Sequence, residues 1–290
     1  MQEPHLQQAA PLGAPVLREL ESPTSRVIRP VKRRLKLIDI VRGAQVIQVI
    51  AARDFKVKYK QSLLGPLWLV FQPIALLAAF LVAFRHIAHV QAGTPYVVFA
   101  LIGLSAWSFF QASMTIGTAS LISSGTLVRF TPCPRFAFPI AGVAASLPVY
   151  VVTIVAAILA TVLAATLSPL ALLLPFGLAW LLMLTVGLVM MTSSLTVRYR
   201  DVLSALPFIL QVGLFLAPIA YPLTSLGPTV RTLVELNPLT GLVEAWRWML
   251  ISGYHASPRV IVYSLVFTAV IAFLGWRTFT RLETTMADEI

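Results

Sequence analysis

The stretch ARDFKVKYKQSLLGPLWLVFQPIALLAAF, residues Ala52–Phe80, carries five charged side chains in its first nine residues and none afterwards. So abrupt a change of polarity reads as a change of solvent at Gly65-Pro66. A Gly-Pro pair breaks a helix and redirects the chain, and the apolar run beyond it has the roughly 20 residues that a bilayer crossing needs. Composition extends this reading to the whole chain of 290 residues, of which 58% are apolar and 11% charged, with a mean hydropathy of +0.85. A soluble domain carries about a quarter charged residues. The charges are also clustered, since the 62 residues from Phe136 to Val197 contain no Asp, Glu, Lys or Arg. That length holds about two crossings, and Ser168-Pro169 supplies a turn between them.

The same count gives six spans, at Pro66–Phe84, Pro95–Ser120, Phe136–Thr166, Leu170–Thr192, Val202–Pro222 and Val260–Trp276. These runs are apolar on every side, whereas barrel strands alternate apolar and polar residues. The expected fold is therefore an all-α membrane protein. Residues 1–37, Pro-rich, basic and without periodicity, read as a mobile arm, and they lack the apolar core and cleavage site of a signal peptide. Residues 38–65 form an entry helix and 66–290 the membrane domain. Eighteen of the 22 Lys and Arg residues fall on the side of the two chain ends, which places both termini in the cytoplasm. The net charge of +11 then reflects topology and attraction to anionic lipid heads. No basic and aromatic module accompanies it, so nucleic acid is not an expected partner.

Between the arm and the first span, Ile40, Ala44, Ile47, Ala51 and Phe55 share one helical stripe, with Arg42, Arg53 and Lys56 opposite. This describes an amphipathic interfacial helix, although Val49 sits on its polar side. Downstream, the region Pro222–Pro258 is too polar to span and, in LVEAWRWMLI, too apolar for a free loop. It reads as half-helices folded back into the outer leaflet, the second opened by Asn237 as N-cap and Pro238 in the first turn. Glu244 and Arg247, three residues apart, suit an ion pair.

Chemistry-bearing clusters are sparse. No phosphate-binding G-x-x-x-x-G-K-[ST] sequence occurs, so this chain is not expected to hydrolyse ATP by itself. None of the eleven Asp and Glu residues lies in the six spans, which disfavours an ion-coupled transporter. His86 and His89 beside Arg85 are spaced like metal ligands but read as polar residues at the outer end of the first span, and Cys133 stands alone. No metal or cofactor is expected.

RDFKVKYKQSLLGPLWLVFQP (Arg53–Pro73) resembles the RD-x-x-x-RY-x-x-S-x-LG-x-x-W-x-x-x-x-P segment of type-2 ABC exporter permeases for polysaccharides, O-antigen and teichoic acids. VRYRDV (Val197–Val202), FLAPIAYPL with LNPLTGLVEAWRWMLISG (Leu236–Gly253), and RLETTMADEI resemble further segments of that family in the same order. Lys58 stands where the family has Arg, Ala217 where it commonly has Ser, and Thr131–Pro134 departs from its aromatic-Pro-Arg run. The resemblance implies a homodimeric channel in a bacterial inner or plasma membrane, docked to two copies of a separate ATPase that binds ATP and Mg. It implies export of a polysaccharide or lipid-linked glycan. The alternatives are export of drugs or lipids by the same machinery and, outside that class, a membrane glycan-processing enzyme. In such a permease the first and fifth spans line the channel, making Trp68, Phe71, Gln72, Phe80, Phe84, Phe208, Gln211, Phe215 and Tyr221 candidates for sliding contacts with sugar. The loop 121–135 would couple to the ATPase through Leu127, Val128 and Phe130, with Arg129 and Arg135 pairing to acidic groups. Residues 223–258, including Asn237, Pro238, Glu244 and Arg247, would form the external gate.

Overall fold

The computed structural model describes residues 37–60, 62–87, 89, 92–130 and 133–283, without the side chains of 37–42, 129 and 130. The expected arm lies outside this range apart from Leu37, as do the last seven residues of the tail. The chain is helical nearly throughout. Its elements are α1 (Leu37–Lys60), α2 (Trp68–Phe80), α3 (Tyr96–Ser123), α4 (Gly125–Phe130), α5 (Ala137–Ala144), α6 (Leu147–Leu163), α7 (Leu174–Arg198), α8 (Asp201–Leu216), α9 (Pro228–Glu235), α10 (Pro238–Leu250) and α11 (Pro258–Leu282). Among the described residues the only extended pairing outside helices is a single antiparallel bridge between Leu167 and Ile251.

Five helical segments are long and apolar enough to cross a membrane, at Gly65–Ile87, Tyr96–Ser123, Ala137–Leu163, Pro169–Arg198 and Pro258–Leu282. The chain is a multi-pass membrane protein. The first of these segments is α2 extended by a 3-10 turn at Gly65–Leu67 and a wide π-helical turn at Leu81–Ile87. The fifth expected span, Val202–Pro222, is helical only in part. The helix α8 has 16 residues, which at 1.5 Å each reach about 24 Å against a hydrocarbon core of about 30 Å. Pro218 ends it. A residue before proline is pushed out of the α region, and Ala217 is extended at φ −93°, ψ 139°. Ser168 meets expectation as the turn residue, its Oγ accepting from the Leu170 N–H.

The central element is α3, which packs against α5, α6 and α7, while α7 packs along α11. Glycines set how closely these helices approach. A Cβ on Gly142 of α5 would lie 2.6 Å from the Gly117 Cα of α3, and one on Gly275 of α11 would lie 2.0 Å from the Gly187 carbonyl of α7. Lipid tails are as apolar as leucine, so helices in a bilayer associate through such close packing and through polar ties. Here Thr118 and Thr192 are 2.7 Å apart across α3 and α7, and Trp180 Nε1 donates to Thr268 Oγ1 at 2.9 Å across α7 and α11. Other buried hydroxyls, as in Thr185 and Thr196, donate to carbonyls four residues back in their own helix, so no hydroxyl proton is stranded there.

Candidate functional site

The first span and α8 are among the elements least covered by the rest of the chain. Only 11% of the first span is buried, against 72% of α3. Phe71 on α2 and Phe208 and Phe215 on α8 are exposed, as are Gln72 and Gln211. Trp68 is half-buried and meets Phe71 edge-on at 5.4 Å. Phe80, by contrast, is a core residue at 5% exposure, because it lies on the face of α2 turned to the bundle. Phe84 bridges the two elements, with its ring 5.6 Å from Phe80 and 6.4 Å from Tyr221. The Tyr221 hydroxyl donates to the Phe215 carbonyl at 2.6 Å, which satisfies one acceptor left open where α8 ends. Exposed apolar surface carrying two amides suits either a second helix or a sliding polar polymer.

The sequence reading missed Gln111 and Thr115 on α3. Both escape the burial of their helix, although Gln111 is only partly free because Trp107 Nε1 donates to its Oε1 at 3.1 Å. At Gly213 the α8 backbone passes over the Trp107 ring, where a Cβ would come within 3.0 Å. Two glutamines flank that crossing. A signal existed in the sequence, since Gln111 is the one amide in a helix whose other small polar side chains are hydroxyls.

At the other end of the bundle, α1 lies along α5. The face it buries differs from the expected stripe. Ile50 is buried, Val46, Ile47 and Ala51 pack beside it against Phe136 and Phe138, and Gly43 is covered as well. Ala44 is exposed and Phe55 is half-covered, stacking on Tyr59 at 4.9 Å. The seam is rotated because the helix packs on a protein neighbour, α5, whose position its own sequence does not carry. Lys56 remains exposed. Arg53 does not simply project to solvent, since its guanidinium pairs with Asp54 at 2.7 Å and donates to Ser124 Oγ at 2.9 Å.

Ser124 is the turn between α3 and the short helix α4. Leu127 on α4 is exposed, whereas Val128 is turned inward at 8% exposure, against Leu121 and Phe138. An outward knob therefore excludes Val128. Arg129 and Phe130 lie in α4, but their side chains are outside the description. Arg135 donates to the Glu283 carbonyl at the end of α11, and burial pushes the Glu283 carboxyl up against the opposing pull of Arg135. The short segment is thus tied at one end to α1 and at the other to α11. Neither Ser124 nor Glu283 was among the expected partners, because both contacts are non-local.

Opposite this end, Asn237 opens α10, its Oδ1 accepting from the Leu239 N–H at 3.0 Å with Pro238 at the first position. Almost all of α10 is buried. Arg247 is fully covered, 3.1 Å from Glu244 and with its guanidinium carbon 3.4 Å above the Phe99 ring centre. Its Nη2 also donates to the Ile219 carbonyl at 2.9 Å. Buried backbone outside regular helix needs such donors, and Ile219 lies in the broken stretch after α8. The Tyr254 hydroxyl donates to the Glu244 carboxylate at 3.0 Å, and burial pushes that phenol up, keeping its proton available. The other acid of this region, Glu235, pairs with Arg231 at 2.7 Å on the surface of α9.

Residues 45–251 match the ABC-2 type transporter family. The O-antigen export system permease protein RfbA of Klebsiella pneumoniae is 24% identical over 254 residues, covering 84% of this chain and 94% of that protein. The polysialic acid transport protein KpsM of Escherichia coli is 24% identical over 245 residues, or 83% of this chain and 94% of KpsM. The O-antigen export permease RfbA of Myxococcus xanthus is 22% identical over 201 residues, 68% of this chain and 77% of that relative.

Proposed function

The chain belongs to the ABC-2 type transporter family, and from that premise we propose that it is the channel-forming subunit of an ATP-driven exporter of a polysaccharide or lipid-linked glycan. The observation that carries this reading is the likeness to O-antigen and polysialic acid permeases over more than four-fifths of the chain. The exposed first span and α8 support a homodimer, in which a second copy covers part of that surface and the remainder, with Gln72, Gln111 and Gln211, faces the polymer. Aromatic faces and exchangeable amide contacts let a sugar chain slide, where strong fixed sites would hold it.

ATP and Mg belong to a partner ATPase, and α4 is the contact through which it acts. Leu127 is its exposed apolar residue, with Phe130 and Arg129 on the same short helix. The termini lie in the cytoplasm, a reading supported by the eighteen of 22 basic residues that fall on their side of the apolar segments. Arg135 acts as an anchor of α4, since its guanidinium is engaged with the end of α11.

The test is reconstitution of this chain with its ATPase in vesicles loaded with lipid-linked glycan. ATP-dependent arrival of glycan on the far side is expected. Movement of lipid or drug without glycan would replace the substrate class, and no ATP-dependent movement of any of them would remove the reading.

A further inference from the structure

Four basic residues lie at the far end of the bundle, away from α1, and they are not in equivalent states. Arg247 is neutralised by Glu244 and Arg231 by Glu235. Arg85 and Arg259 take part in no ion pair among the described residues. Arg259 projects to solvent at the start of α11. Arg85 instead lines a cavity of about 800 Å³ with His86, His89, Thr94 and Tyr96. The rear wall of this cavity is fixed, because Tyr96 is buried and its hydroxyl donates to the Ala220 carbonyl at 2.8 Å. Thr94 Oγ1 is buried without a hydrogen-bond partner.

We propose that this cavity is a binding site for a phosphate group. An unpaired guanidinium offers several N–H donors in a planar fork, each imidazole has an N–H in any protonation state, and a hydroxyl can add another. No acid among the described residues lines the cavity to compete for them. A metal ion fits poorly, since the two histidines belong to no group of three or more metal-ligating side chains among the described residues. Thr94 on the cavity wall is the second indication, because its hydroxyl, buried without a partner at a cost, becomes a donor to an anion held by Arg85 once it rotates about its Cα–Cβ bond into the cavity. Two sources supply such a group, the headgroup of an acidic lipid and a phosphate free in solution.

The test uses the full chain in phosphatidylcholine nanodiscs. One arm titrates inorganic pyrophosphate calorimetrically. The other adds phosphatidic acid to the disc and counts lipids retained per chain by native mass spectrometry. Arg85→Gln should weaken at least one arm about tenfold, the effect of losing one charge-assisted hydrogen bond, and the arm that responds identifies the source. Thr94→Val keeps the charge and the shape, and should weaken the same arm without lowering the melting temperature of the ligand-free protein. Arg259→Gln should change neither arm. The proposal is overturned if Arg85→Gln leaves both arms at the wild-type level, if Arg259→Gln weakens binding as much as Arg85→Gln does, or if Thr94→Val destabilises the free protein without touching binding.

Discussion

The first and second membrane helices are both long and apolar, yet they do opposite jobs in the fold. The segment Gly65–Ile87 is the more hydropathic of the two and is 11% buried, while Tyr96–Ser123 is 72% buried. Hydropathy therefore does not identify the core of this bundle. What marks the central helix is its small and hydroxylated residues, Gly103, Ser105, Ser113, Gly117, Thr118 and Ser120, all covered by neighbours. Small side chains let several helices approach one backbone at once. The first span presents Leu67, Phe71, Ile74 and Val82 outward instead, and bulk on that face is what lipid or a second copy can cover.

The largest effect should come from Arg247, which joins α10 to the central helix over Phe99. Arg247→Ala leaves the Glu244 carboxylate buried without its cation, a loss of about 3–5 kcal/mol. Purified protein in detergent should lose its monodisperse chromatographic peak or melt far below wild type. Arg247→Met combined with Glu244→Gln should recover much of that loss, since the uncompensated charge is gone. If the double variant is as unstable as Arg247→Ala, packing on Phe99 matters more than the ion pair.

Smaller, and still on the buried side of the contrast, is Gly142→Val. Its Cβ would meet the Gly117 Cα at 2.6 Å, and overpacking of this kind costs about 1–3 kcal/mol. A melting temperature equal to wild type would mean that α5 can slide on α3. The smallest stability effect belongs to the first span. Phe71→Ala and Gln72→Ala remove side chains with few neighbours in their own chain and should change stability by less than about 0.5 kcal/mol. Cross-linking of two copies, or ATP-driven transport, should fall even so. A large loss of stability with no change in either readout would show that this face is ordinary core and would break the comparison.

Much of the fold was legible before the structure. The start of the first span at Gly65-Pro66, the turn at Ser168-Pro169 and the Asn237-Pro238 helix start all stand where local chemistry puts them, because caps, prolines and apolar run lengths act over a few residues. The failures are of two kinds, a local proline not weighed and contacts distant in sequence. The run Val202–Pro222 is apolar throughout, yet Pro218 stops its helix early and the carbonyl of Ile219 turns to Arg247, 28 residues away. Val128 reads as an exposed knob in LVRF but faces Phe138. Arg53 reads as one more basic flank but holds Ser124 from 71 residues away.

Composition, run lengths and motifs were enough to show a helical membrane protein, where its apolar segments begin, and which family it resembles. Entry into a bilayer is a property of each segment alone, summed over roughly 20 residues of one composition. Which helix is central, which face of α1 is covered, and the burial of Arg247 and Glu244 emerge from the folded chain. Those outcomes depend on pairs of surfaces distant in sequence. In a solvent as apolar as the protein interior, the choice between them rests on close fit and a few polar contacts, which no single segment carries in its own composition.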